Sequence, residues 1–255
     1  MKINNLEKFL AKARSGECAL GGLVTFTDPS VTELVAEAGF DWVFIDGEHG
    51  VMDRNSAVLH LMAVRGTDCA SFYRVPACDH TEIKRVIDFG PAGIIVPMIM
   101  NADDARRAVE AMRYPLEGTR GCGFRRCVGY GAKEIDEYWE MAKHEPLVVL
   151  QIEHIEAVRN IDSILAVPGI DAILVGPYDL STSMGKSRQW YDPEVAGVYD
   201  NVARKVKEAG LLLGASLDSE YAAWKKRGVD FIAIRCDYGA MMEGFRNAIG
   251  NFRKD

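Results

Sequence analysis

No stretch of the sequence is long and apolar enough to span a bilayer. The opening MKINNLEKFLAKARSGE is amphipathic and charged throughout, without the apolar core or small-residue cleavage site of a secretory signal. Long runs of Lys or Arg are missing as well. With 30 basic against 37 acidic side chains, a net charge of -7 and a pI near 5.4, the chain is poorly suited to nucleic acid or an anionic membrane. The six cysteines (Cys18, Cys69, Cys78, Cys122, Cys127, Cys236) are scattered and include no CxxC pair. That usage fits reduced thiols in a cytoplasm better than a disulfide framework. There is no linker, low-complexity tract or composition shift to mark a domain boundary, so residues 1–255 are expected to form a single domain.

What is present is a repeated alternation. Eight short apolar, β-rich runs stand at 18–25 (CALGGLVT), 42–47 (WVFIDG), 69–75 (CASFYRV), 93–98 (GIIVPM), 146–153 (PLVVLQIE), 172–177 (AILVGP), 212–216 (LLGAS) and 231–236 (FIAIRC). Most are continuous rather than alternating, as parallel strands covered on both faces should be. Helix-like segments lie between them: DPSVTELVAEAG opens on Asp-Pro and ends in Gly39, and NADDARRAVEAM opens on Asn101. The economical architecture is a (β/α)8 barrel, an α/β fold, with a doubly wound open sheet as the competitor. One connection, RYPLEGTRGCGFRRCVGYGAKEID, is long enough to suggest a functional or disordered loop.

In such a barrel, chemistry sits at the carboxyl ends of the strands. Those ends deliver Asp46, Gly47, Glu48 and His49 from the second run, Arg74 from the third, Gln151 and Glu153 from the fifth, and Gly176, Pro177 and Asp179 from the sixth. Glu153 and Asp179 are hard oxygen donors on neighbouring strands and suit Mg2+, Mn2+ or a similar divalent ion. Either acid alone reads equally well as a cap on the helix that follows. His49, three residues after Asp46, can act as a base oriented by that carboxylate, or serve as an ordinary polar turn residue. Arg74 ends an apolar strand and must meet an anion there. The remaining histidines, His60, His80, His144 and His154, fall in or near helical segments and are expected on solvated faces. No lysine lies in the eight runs, which disfavours imine chemistry. GTRGCGF and GPYDLSTSMG match neither a Walker nor a Rossmann fingerprint.

Taken in order, the blocks GGLVTFTDPS, FDWVFIDGEHG, YRVP, GIIVPMI, GTRGCGFRR, VLQIEHIEAVRNIDSILAVPGIDAILVGPYDLSTSMG and GASLDS resemble the class II, metal-dependent pyruvate aldolases of the HpcH/HpaI type. That family includes 4-hydroxy-2-oxoheptanedioate and 2-dehydro-3-deoxyglucarate aldolases. The resemblance implies a (β/α)8 barrel assembled as a homohexamer, a trimer of dimers, with a C-terminal helix exchanged between subunits. It implies reversible cleavage of a 4-hydroxy-2-oxo acid to pyruvate and an aldehyde, with Mg2+, Mn2+ or Co2+ and without an organic cofactor. By the same resemblance Glu153 and Asp179 hold the metal, and Gln151, Gly176, Pro177, Tyr178 and Asp179 surround the substrate. Arg74 stabilises the enolate, and His49 paired with Asp46 moves the proton. The chain departs from the family pattern at Tyr178, where a small residue is usual, and at Arg235, which is placed to meet an acidic substrate tail or a neighbouring subunit. Two other readings remain open: a lyase acting on a citryl- or malyl-coenzyme A ester, and a non-catalytic barrel that binds a keto acid.

Overall fold

The computed structural model describes residues 3–254. Eight strands run in parallel: β1 (Ala19–Val24), β2 (Trp42–Asp46), β3 (Ala70–Arg74), β4 (Gly93–Val96), β5 (Leu147–Ile152), β6 (Ala172–Val175), β7 (Leu212–Ser216) and β8 (Phe231–Cys236). Each pairs with the next, and β8 pairs with β1 to close the barrel, which rules out the open sheet. All residues of β2 through β6 are buried, so both faces are covered and the continuous apolar runs find their reason.

Helix starts follow the capping residues in the sequence. Asn101 accepts hydrogen bonds from the N–H groups of Asp103 (2.9 Å) and Asp104 (3.0 Å) and opens the helix Ala102–Met112. Asp28 accepts from Ser30 N–H (2.9 Å), and the helix Ser30–Glu37 gives way to Gly39 at φ +89°. An outer core of Val, Ile, Leu and Ala side chains fills the space between barrel and helices.

The barrel interior is aromatic toward its amino end. Trp42, Phe72 and Phe231 meet there with Phe9, which comes from the helix Leu6–Arg14; ring centroids lie 4.8 Å apart for Phe9 and Phe72 and 5.2 Å for Trp42 and Phe72. Leu6, Phe9 and Ala13 are buried against the first residues of β1, β2, β3 and β8, so this helix closes the amino end. Gly21 and Gly214 leave room for the rings, because a Cβ at either would run into Trp42 or Phe231.

Two expectations require correction. His60 is fully buried rather than solvated, with Nδ1 2.7 Å from Thr32 Oγ1, because its helix Arg54–Ala63 turns this side chain toward the helix Ser30–Glu37. The long connection is ordered, so the disordered alternative falls. Buried Arg120 organises it, donating to Asp88 Oδ1 (3.1 Å) and Tyr138 Oη (2.7 Å) with its guanidinium 4.5 Å from the Tyr114 ring centroid. Arg126 ties the same segment down by donating to Leu61 O (2.8 Å). Among the described residues no helix is long and apolar enough to cross a membrane.

Candidate active site

Arg74 is the centre of the polar cluster at the carboxyl end. Its Nε and Nη2 donate to the two carboxylate oxygens of Asp46 at 2.8 and 2.7 Å, the two-pronged geometry that guanidinium and carboxylate favour. Asp46 and Arg74 face each other because β2 and β3 run in register. The guanidinium also lies 5.0 Å from the Phe44 ring centroid, and Nη1 reaches Gln151 Oε1 at 3.4 Å. Burial alone would lower the Arg74 pKa, but Asp46, Glu48 and Glu153 together raise it. Its charge is therefore fixed.

One guanidinium does not balance the carboxylates around it. Glu48 Oε2 stands 2.9 Å from Arg74 Nη1, yet it is a buried oxygen without a hydrogen bond. Burial raises the Glu48 pKa, Asp46 and Asp179 add to the rise, and Arg74 with His49 only partly opposes it, since Arg74 is already committed to Asp46. Glu153 is 3% exposed. Its Oε1 accepts from Met98 N–H (2.7 Å), and its Oε2 accepts from Gln151 Nε2. Burial, with help from Glu48 and Asp179, pushes Glu153 up to about 7. Two buried carboxylates with raised pKa values beside a single guanidinium mark this end of the barrel as a candidate functional site.

The donor set narrows which cation. Among the described residues no group of three or more His, Cys, Asp or Glu side chains comes together at metal-binding spacing. Two carboxylates such as Glu153 and Asp179 could hold an ion only if water and substrate oxygens complete its coordination, as they do for Mg2+ and Mn2+. Gly176 supports that role: a Cβ here would lie 2.9 Å from Glu153 Oε2 and 3.0 Å from Gln151 Nε2, filling the approach to both.

A cavity of about 350 Å3 opens above the cluster. It is lined by His49, Arg74, Gln151 and the run Gly176–Pro177–Tyr178–Asp179, as the strand ends predict, whereas Asp46 and Glu153 stand behind its wall. One expected pairing is not found. His49 is 69% exposed, and its Nε2 lies 3.8 Å from Glu48 Oε2; only its backbone N–H approaches Asp46, at 3.4 Å from Oδ1. The Asp46 carboxylate is saturated by Arg74 and by Glu48 N–H (3.0 Å), which leaves Glu48 as the carboxylate that faces the imidazole.

Some contacts were not anticipated. Glu48 carried a signal, an acid between a strand-ending Asp and a His, but its contact with Arg74 depends on how the turn folds. Met98 N–H had no signal in residue type, since a left-handed backbone at φ 54° aims it. Asp218, beyond the end of β7, also lines the cavity and accepts from Tyr178 Oη (3.3 Å).

Comparison with known proteins gives a consistent picture. Residues 23–238 match the family described as HpcH/HpaI aldolase/citrate lyase. The chain is 32% identical over 249 residues to a hydroxypyruvate/pyruvate aldolase of Roseovarius nubinhibens, with 97% of each chain covered. It is 34% identical over 231 residues to a 4-hydroxy-2-oxo-heptane-1,7-dioate aldolase of Shigella sonnei, covering 90% of this chain and 88% of that one. A crystal structure of an HpcH/HpaI aldolase/citrate lyase family protein from Burkholderia cenocepacia superposes with a TM-score of 0.90 at 28% identity, over 98% of this chain and 99% of the other.

Proposed function

The chain belongs to the HpcH/HpaI aldolase/citrate lyase family, and from that membership and the cavity chemistry we propose that it is a class II aldolase. The reaction is reversible cleavage of a 4-hydroxy-2-oxo acid to pyruvate and an aldehyde. The observation that carries this reading is Arg74, locked by Asp46 and set at the cavity wall beside Gln151 and an excess of carboxylates.

In this reading Glu153 and Asp179 hold a divalent ion, Mg2+ or Mn2+ with Co2+ as a further candidate, and no organic cofactor takes part. When bound, the ion supplies Lewis acidity at the keto oxygen of the substrate. Arg74 places a fixed positive charge where negative charge grows as the C3–C4 bond breaks, and its fork to Asp46 means that no reorganisation is needed at that moment. Gln151 orients the keto acid, while the backbone from Gly176 through Pro177 to Asp179 receives its carboxylate. His49, exposed at the mouth beside Glu48, takes the proton from the C4 hydroxyl in cleavage, and C3 gains a proton as pyruvate forms; in the synthetic direction C3 loses that proton and the C4 oxygen regains one. Because β1 through β8 contain no lysine, the route needs no imine.

The same proposal treats residues 1–255 as one domain of a cytoplasmic homohexamer, a trimer of dimers, whose helix Asp237–Phe252 is exchanged between subunits. Exposed Met241, Met242, Phe245, Ile249 and Phe252 on that helix support a covered face.

The test is deuterium exchange at the pyruvate methyl group in D2O, followed by NMR on protein stripped with EDTA and resupplied with Mg2+ or Mn2+. Exchange that appears only with metal supports the aldolase. Absence of exchange with every metal would overturn it in favour of the coenzyme A lyase or a binding role.

A further inference from the structure

Where β8 closes on β1, a polar cluster is built that the chemistry assigned above does not use. Asp237, the first residue of the helix Asp237–Phe252, is buried. Its Oδ2 accepts from the N–H groups of Thr25 (2.6 Å) and Phe26 (2.9 Å), and its Oδ1 accepts from Thr25 Oγ1 (2.9 Å). One carboxylate thus holds the turn 25–28, which leads from β1 into the helix Ser30–Glu37. His60 meets the same turn from the helix Arg54–Ala63, at the backbone of Phe26 and Thr27. Its Nδ1 is taken by Thr32 Oγ1 at 2.7 Å, and its Nε2 is buried without a hydrogen bond. The turn also borders the cavity mouth. Thr25 O lies where a Cβ on Gly50, the residue after His49, would stand 3.5 Å away, and Leu23 and Tyr238, on either side of the clamp, line the cavity.

A neutral imidazole suits this place and a charged one does not. The Thr32 hydroxyl serves Nδ1 as donor or acceptor, but a proton on Nε2 finds no aligned acceptor. Burial opposes the charge, and the backbone of Thr27 and Phe26 with the carboxylates of Asp28 and Asp237 offsets only part of that cost. Both acids are already committed, Asp237 to the turn and Asp28 Oδ1 to Ser30 N–H (2.9 Å). An imidazolium here is paired only by drawing an acid off the amides it holds, or by letting water in under the turn. Each route weakens the hold on the turn. We infer that His60 and Asp237 form an acid-sensitive latch, in which proton uptake by His60 releases the turn 25–28 from Asp237 and loosens the cavity mouth beside His49. The inference concerns the seam of the barrel and holds whether or not the aldolase reading does.

The experiment is amide hydrogen exchange read by mass spectrometry on the intact protein at about pH 7.5 and about pH 5.5, with each rate divided by that of an unstructured chain at the same pH. In the released turn the ring recovers its ordinary pKa of 6.5, so it is about one-tenth protonated at the higher pH and about nine-tenths at the lower. With the latched ring neutral throughout, protection of the peptide that carries Thr25 and Phe26 should fall by about tenfold between the two. Protection of β5 should stay within about twofold. His60→Gln should abolish the fall. Asp237→Asn keeps an acceptor but loses its charge, so it should lower protection of the turn at both pH values and leave the ratio between them intact. A wild-type change in the turn of less than about twofold would overturn the inference. An equal loss in β5 would do so too, since the acid effect would then be global, as would the full pH change persisting in His60→Gln. Should His60→Gln not fold, exchange of the ring C2 proton in the wild type reads the ionisation of His60 directly. A ring that stays neutral while the turn opens would sink the latch.

Discussion

Replacing Arg74 by Met should damage the protein twice, and the two injuries can be separated. The side chain is 8% exposed and its partner Asp46 is 2% exposed, so the substitution leaves a buried carboxylate without its counter-ion. Breaking such a pair from one side costs about 3–5 kcal/mol. Asp46 Oδ1 keeps its backbone bonds from Glu48 N–H (3.0 Å) and His49 N–H (3.4 Å), which places the expected cost near the lower end, at about 3 kcal/mol. In a chain of this length that corresponds to a fall in Tm of about 6–12 °C. The double variant Asp46→Asn/Arg74→Met removes the orphaned charge while the amide oxygen still accepts those backbone bonds. It should therefore recover about 2 kcal/mol relative to Arg74→Met alone. Catalysis should show no such recovery, because both variants lack the positive charge at the site of developing anion. Loss of one preorganised donor of this kind lowers the rate by about 10^2 to 10^3. Calorimetry on the wild type, both single variants and the double, read beside pyruvate exchange rates, gives the two answers. A Tm for Arg74→Met within about 2 °C of wild type, or a double variant no more stable than that single one, would refute the view of Arg74 and Asp46 as a coupled buried pair.

Other consequences can be measured on the same material. Glu153→Gln and Asp179→Asn should each weaken Mn2+ binding by at least about tenfold, read by calorimetric titration, because in the proposed reading these two carboxylates carry the protein's share of the coordination; unchanged Mn2+ affinity in both would remove them as ligands. Burial holds the His60 pKa below 6.5, so the unfolded chain binds its proton first as pH falls. The stability linked to His60 is thus complete above pH 6.5 and is lost as pH drops toward the depressed folded value, and His60→Gln should flatten the fall in Tm over that acidic window. Gly214→Ala drives a methyl group into the Phe231 ring and should cost about 1–3 kcal/mol; a Tm equal to wild type would show that the interior can yield.

The barrel was legible because local and global signals agree. Continuous apolar runs such as WVFID and LVVLQI can be buried on both faces only in a covered parallel sheet, and the runs match the observed strands to within two residues at each end. Candidate residues at the strand ends were legible for the same reason, since the register that aligns Asp46 with Arg74 is set by the pleat. Pairings that depend on a turn were not. His49 follows Asp46 by three residues, but the turn spends the Asp46 carboxylate on backbone N–H groups and on Arg74, and the imidazole swings toward Glu48. His60 misled because a helix with weak amphipathic character gives little warning of which face turns inward. The long connection before β5 suggested a functional or disordered loop by its length, yet the planar guanidinium of Arg120 stacked on Tyr114 supplies order that length does not advertise.

The helix Leu6–Arg14, through Phe9, stoppers the barrel beneath Trp42, Phe72 and Phe231, and this makes the vessel open at one end. Traffic through it is then a queue. With the keto acid placed against Gln151 and Arg74 as proposed, it would have to arrive before the aldehyde closes the way over it. In cleavage the proposed order reverses, so the aldehyde would depart first and pyruvate would be the product that keeps the enzyme occupied.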